Sequence, residues 1–326
     1  MPAPAPRFPA PAPGVWRRTP PAIFPPIMGL FGLGLGWRAG APAFGLPDAV
    51  GEMILGAATL LYLFALLAWA AKPWRRPAVV LEELRVLPGR AGLAAMTQSA
   101  LLLAATLVPY APGLATGLGV LAFLAHAGLA LLILGLILRG PAEARTVTPV
   151  WHLVFAGFIV APLAALPLGY ETAARAILFG VLPVASAIWA VSLWQLVTRI
   201  PPAPLRPLLA IHLAPASLLA AVAAGLGMTT LATVLSLFAA SILIALLAAS
   251  RWLTAAGFSA LWGAFTFPLA AFAGALFALA PGSEALRIAA GLVLVAATLI
   301  IPPIAFKVLQ AWARGGLAAK TNAAEA

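Results

Sequence analysis

The stretch from Leu114 to Leu138 reads LATGLGVLAFLAHAGLALLILGLIL and stops at Arg139. It holds no Asp, Glu, Lys or Arg, and its one ionisable group is His126. Wound as an α-helix at about 1.5 Å per residue, its length of about 37 Å exceeds the roughly 30 Å of a bilayer's hydrocarbon. Lipid offers no partner to a backbone N–H or C=O, so such a run must pair its own backbone, and a helix does so.

Nine more segments of this kind flank it, at about 20–38, 47–71, 92–111, 149–168, 171–198, 207–226, 228–250, 256–280 and 284–312. The runs are continuous, whereas a transmembrane β-barrel needs short strands of alternating polarity. Composition agrees. Of 326 residues, 63% are hydrophobic and 8% charged, where a soluble domain carries about a quarter charged. The mean hydropathy of +1.07 leaves too little polar surface for a water-soluble globule. The fold expected is therefore an all-α integral membrane protein with ten transmembrane helices. A Pro/Ala-rich tail (residues 1–19) precedes the membrane domain (20–312), and a short tail (313–326) follows it. There is no cysteine, which excludes a disulfide scaffold and any thiolate-held metal.

The net charge of +11 would point to nucleic acid in a soluble protein. Here the basic residues fall in the loops between apolar runs. With both termini on one side, sixteen of nineteen Lys and Arg share that side, and only Arg38, Arg175 and Arg287 lie opposite. The eight acids divide four and four. Positive charge marks the cytoplasmic face, so both termini are expected in the cytoplasm of a cell that holds the chain as a multi-pass protein of its inner or plasma membrane. No nucleic-acid partner is expected.

The odd segments begin near 20, 92, 149, 207 and 256, so the unit is a helical hairpin of roughly 50 to 70 residues repeated five times. Proline recurs in those segments as Pro25, Pro26, Pro109, Pro162, Pro215 and Pro268. Proline removes a helix hydrogen bond and kinks the chain, which a membrane tolerates where a neighbour or a wet cavity satisfies the freed carbonyl. Bent helices in step with a hairpin repeat point to a ring around a central path.

Charged groups near the middle of a span are the usual functional markers, and this chain has none; Glu52 and Lys307 fall towards span ends. A buried carboxylate relay and a retinal-binding lysine are thereby excluded. His126, His152 and His212 lie on segments four, five and seven, and a redox or haem protein built on them is the alternative reading. Otherwise no cofactor and no metal is expected, and no Gly-rich loop follows a strand to hold a nucleotide, so the chain is not expected to be an enzyme. What remains is a path lined by apolar side chains, hydroxyls (Thr97, Ser99, Ser217, Thr266) and helix ends. Such a lumen conducts without fixed charge, and helix N-termini favour anions. In segment nine, an aromatic placed before a kinking proline is positioned to plug it.

That segment, Trp262-Gly263-Ala264-Phe265-Thr266-Phe267-Pro268, resembles the ninth helix of the tellurite-resistance/dicarboxylate transporter family, which includes the plant slow anion channels. Leu205-Arg206-Pro207 through His212-Leu213-Ala214-Pro215 resembles its seventh helix. Pro21-Ala22-Ile23-Phe24 with Gly29, Gly32, Gly34 and Trp37-Arg38 is similar to its first, and Thr148-Pro149-Val150-Trp151 to the start of its fifth. The resemblance covers about residues 20 to 312. It implies five hairpins in a quasi-fivefold ring around a central pore, a homotrimer, and passage of small inorganic anions or C4-dicarboxylates. It also implies a pore gated by a phenylalanine of the ninth helix. The matching position is Phe267, before Pro268, with Phe265 as second choice; two residues apart they lie about 200° apart on a helix, so spacing does not separate them and only one faces the pore.

Overall fold

The computed structural model describes residues 16–141 and 145–326; residues 1–15 of the expected tail lie outside them. The described residues form helices and turns, with no strand among them. In chain order the helices are α1 (Phe24–Ala43), α2 (Ala49–Arg75), α3 (Val79–Arg85), α4 (Leu87–Leu107), α5 (Pro112–Arg139), α6 (Pro162–Ala165) and α7 (Glu171–Thr198). There follow α8 (Leu213–Gly225), α9 (Thr229–Ala248), α10 (Ser250–Leu253), α11 (Thr266–Leu279), α12 (Glu284–Ala313) and α13 (Gly316–Lys320). Seven helical stretches are long and apolar enough to cross a membrane: α2, α5, α7, α9, α12, and the stretches Ala203–Gly225 and Ala260–Leu279 that contain α8 and α11. The other three expected spans fall on α1, on α4 and on the shorter stretch His152–Ala165.

Burial sorts these segments into two kinds. In α2, α5, α7, α9 and α12 only 22–33% of the apolar window is buried, against 72% and 67% for the α8 and α11 stretches. In α1, 12 of 20 residues are buried, and in α4, 15 of 21. Leu60, Leu131, Leu193, Leu237 and Leu299 stand out from the first kind, each more than 60% exposed. An apolar surface this continuous is stable against lipid and not against water. Each lipid-facing helix follows a buried segment in the chain and packs against it: α2 on α1, α5 on α4, α7 on His152–Ala165, α9 on α8, α12 on α11.

The hairpin turns are closed locally. Gly169 and Gly227 take φ of +83° and +71°, a region that costs glycine nothing. Beyond them Tyr170 N–H donates to the Ala165 carbonyl, and Met228 N–H to Ala223, both at 2.8 Å, the hydrogen bonds of a glycine-closed helix end. Between α4 and α5 the corresponding turn holds Pro109, exposed and outside the helix, so it bends neither element.

The other prolines act differently from the kinks expected. Four buried segments begin in tight or irregular turns: 3-10 helix at Pro21–Ile23, Ala203–His212 and Ala260–Phe265, and a π turn at His152–Ala156 followed by 3-10 helix at Gly157–Val160. The α-helix starts only where proline arrives, in the first turn of α1 (Pro25, Pro26), α6 (Pro162), α8 (Pro215) and α11 (Pro268). First-turn N–H groups have no intrahelical partner anyway, so proline loses nothing there, and its ring disfavours α-geometry just before it. The carbonyls left over find side chains: His212 O accepts from Trp189 Nε1 at 3.2 Å, and Leu153 O from Gln98 Nε2 at 2.8 Å.

Without a hydrophobic force between helices in lipid, close packing at small residues holds them together. On α1, a Cβ at Gly29 would lie 2.3 Å from Thr266 Oγ1, and one at Gly32 would lie 2.9 Å from Phe267 Cδ2. A Cβ at Gly36 meets only the end of Leu294, at 3.2 Å. Gly29→Ala is therefore expected to destabilise by about 1–3 kcal/mol through overpacking. Gly36→Ala should be neutral or stabilising, because alanine restricts the unfolded chain. Thermal unfolding of the two variants in detergent checks this contrast.

The first and last described residues are tied together. Ala326 N–H donates to Arg17 O at 3.2 Å, and Arg18 pairs with Glu325 at 2.7 Å. Beneath them Lys72, at the end of α2, and Glu83, on α3, form an ion pair whose side chains are wholly buried, and Lys72 Nζ also reaches Thr19 O at 3.0 Å. Read from sequence, Lys72 was one more loop cation; here it anchors the cap that seats Pro21–Ile23 against α4. Gly92 on α4 admits that contact, since a Cβ there would lie 2.3 Å from the Pro21 carbonyl.

Candidate functional site

A cavity of about 40 Å³ opens among the starts of the buried segments. Pro25, Ala95, Leu153, Ile211, Ala264 and Phe267 are among its walls, so α1, α4, His152–Ala165, Ala203–Gly225 and Ala260–Leu279 all contribute. Deeper along the same segments lies a chamber of about 10 Å³, bounded by Gln98, His152, Gly157, Pro215, Leu218 and Phe267. A water needs about 10–15 Å³ measured this way, so the chamber holds one at most. Phe267 borders both spaces. Its ring is 5% exposed and lies across Gly32, whose missing side chain makes room for it.

Phe265 points elsewhere. It lines an apolar groove of about 490 Å³ with Leu243, Leu246, Leu269 and Ile300, on the outer side of α8 and α11. Its ring meets Trp262 edge to face at 5.7 Å. The two phenylalanines therefore border different spaces, Phe267 the inner cavities and Phe265 the outer groove. Phe265→Ala is expected to alter any flux through the inner cavities by less than about twofold, as for substitutions outside a functional feature; reconstituted flux measurements check it.

Among the expected proline positions, Pro25 and Pro268 border the cavity and Pro215 the chamber. Pro26 and Pro162 are buried in packing, and Pro109 lies in the far turn. The four hydroxyls are all buried and donate to carbonyls of their own helices or approach turns: Thr97 to Ala94 at 2.9 Å, Ser99 to Ala95 at 2.7 Å, Ser217 to Leu213 at 2.8 Å and Thr266 to Gly263 at 2.7 Å. They line neither space.

The histidines divide. His126 on α5 contacts Thr97 Oγ1 through Nδ1 at 2.7 Å and stacks edge-on against Phe158. His152 and His212 touch each other, with ring centroids 5.0 Å apart and planes at 88°. That contact leaves no slot for a porphyrin between them, and no group of three or more metal-ligating side chains occurs among the described residues. The haem reading is not supported.

Charge is kept at the rim. On the face opposite the termini, Arg38 holds Glu52 through two bonds of 2.7 and 2.8 Å, and Tyr110 O–H donates to Glu52 at 2.6 Å. Three participants escaped the sequence reading. Gln98 is a lone amide in an apolar span, a signal that was legible. Gly157 and Leu153 carry no such mark; only the fold shows that a Cβ at Gly157 would strike Gln98 and His126 at 2.6 and 2.9 Å.

Comparison with curated proteins gives no match. Comparison with protein families gives one that spans nearly the whole membrane domain: the profile of the voltage-dependent anion channels matches residues 18–309. With its multi-pass apolar helices, its uncharged inner cavities and its closely packed inner segments, the chain belongs to the voltage-dependent anion channel family.

Proposed function

We propose that this protein is an anion channel whose path runs between the five buried segments and is closed by the ring of Phe267. The observation that carries this reading is that Phe267 borders both a cavity lined by all five of those segments and a smaller chamber lined by four of them. Their contacts support a ring: α1 meets α4 and α11, α4 meets His152–Ala165, that stretch meets α8, and α8 meets α11. The full architecture proposed is ten spans in five hairpins, with the odd spans inside and the even ones against lipid. The excess of Lys and Arg supports a cytoplasmic location for both termini. The homotrimer follows from the resemblance and is proposed on that ground.

The chemistry follows from what lines the path. An apolar constriction excludes water and so excludes ions until it widens. Selection for anions comes from backbone rather than side chains. α8 and α11 start beside the cavities, so the positive ends of their dipoles point at the path. No acidic side chain borders either cavity, and none would repel an anion there. The chamber's size favours a small inorganic anion over a four-carbon dicarboxylate. Liposomes containing Phe267→Ala test this: chloride and nitrate are expected to enter, malate to stay out. Malate flux equal to nitrate flux would reverse the size argument, and no flux of any anion would contradict the channel.

A further inference from the structure

We propose that His152 is an anion-binding residue of the path, loaded with a proton that reaches it from a side groove through Ser192 and His212. This rests on the channel reading above, and concerns what the anion meets just beyond Phe267.

His152 is 2% exposed, and neither of its ring nitrogens has a hydrogen-bond partner. It borders the chamber that Phe267 closes. Burying polar atoms unpaired is costly, and here the unpaired atoms belong to a side chain at the wall of an ion path. The groups around it are neutral: Trp189 from α7 packs against its ring, and Gln98 from α4 and Phe267 from α11 border the same chamber. The titratable group facing it is His212, from the approach turn of α8.

His212 continues the chain outward. Its Nε2 lies 2.8 Å from Ser192 Oγ, while its Nδ1 is buried and unpaired beside the His152 ring. Ser192 in turn lines a groove of about 570 Å³ with Thr148, Gln195 and Arg199, among the loops of the face that carries the termini. The groove is large enough for water and is separate from the Phe267 cavities. A line therefore runs from the groove to Ser192, by a hydrogen bond to His212, and across an edge-to-face ring contact to His152 at the chamber.

A proton moves along it without net change in the carriers. Ser192 Oγ takes a proton from groove water as its own hydroxyl proton passes to His212 Nε2. Rotation of the His212 ring then brings its Nδ1–H to a ring nitrogen of His152, which takes that proton, and return of the ring, reorientation of the hydroxyl and exchange of the histidine tautomer reset the line. An imidazolium in this apolar wall lacks a counter-charge until an anion enters the chamber. Anion and proton therefore each favour the other's binding, by the same factor.

The test uses the full chain carrying Phe267→Ala, reconstituted in liposomes, with nitrate flux measured as the pH on the terminal face is varied. Flux is expected to rise about tenfold between pH 8 and pH 6, within the limit of tenfold per unit that one linked proton sets. His152→Gln on that background should flatten the dependence, and so should Ser192→Ala, a smaller change that stands in should the glutamine variant fail to fold. Flux that keeps its full pH slope in either variant overturns the proposal while leaving the channel intact. Absence of flux in Phe267→Ala itself overturns the channel reading and this site together.

Discussion

Phe267→Ala should raise anion conductance at least about tenfold over wild type in planar bilayers. The ring borders both a cavity of about 40 Å³ and a chamber of about 10 Å³, and its removal is expected to join them into one lumen that water can fill. An ion passing the intact ring must shed its hydration against an apolar surface. Lowering that barrier by only about 1.4 kcal/mol gives the tenfold increase. The neighbours do not refill the space at once, because the residue across from the ring on α1 is Gly32, which has no side chain. Phe267→Leu should fall between, keeping an apolar plug of smaller reach. Both variants must elute as wild type does in gel filtration, since truncating a buried Phe also costs packing. Unchanged conductance in folded Phe267→Ala would remove the gate from this residue.

The second large effect concerns stability. Lys72→Met is expected to destabilise by about 3–5 kcal/mol, because it strands the Glu83 carboxylate, wholly buried, without the cation it is paired with. The pair lies at 0% exposure on both sides, so solvent cannot take over from the missing partner. Lys72→Met combined with Glu83→Leu should recover most of the loss, since exchanging a buried ion pair for apolar groups is often neutral. Thermal unfolding in detergent reads both. If the double variant is no better than the single one, the cap owes its stability to the Lys72–Thr19 bond instead.

How far the sequence carries the fold depends on which property each feature leaves in it. Span positions were legible because hydrocarbon thickness sets length and lipid forbids charge: the run 114–138 became Pro112–Arg139, and 171–198 became Glu171–Thr198. The distinction between buried and lipid-facing segments was not legible by composition, since both surroundings are apolar. It had to be inferred from the rhythm of prolines. Those prolines were visible, but their effect was misread. Hydropathy does not separate 3-10 from α winding, so Pro215 and Pro268 looked like kinks inside helices when they mark where the α-helix starts. The Lys72–Glu83 pair left no trace at all, because two charges eleven residues apart in a loop region read as solvated. At the site, spacing offered Phe265 and Phe267 equally, and the choice needed the direction of approach of α11 against Gly32. His152 and His212 were seen as ionisable groups on different segments; their contact depends on how the approach turn of α8 lies on α7, which no local pattern encodes.

The proposed function requires anions to pass between the buried segments once Phe267 is out of the way. The most direct test is the reversal potential of Phe267→Ala channels in a planar bilayer under a tenfold gradient of potassium nitrate. An anion-selective path predicts reversal close to the nitrate equilibrium potential, about 59 mV in magnitude for a single charge. Reversal near zero, or at the potassium potential, would mean that the opened lumen does not select anions and would contradict the account.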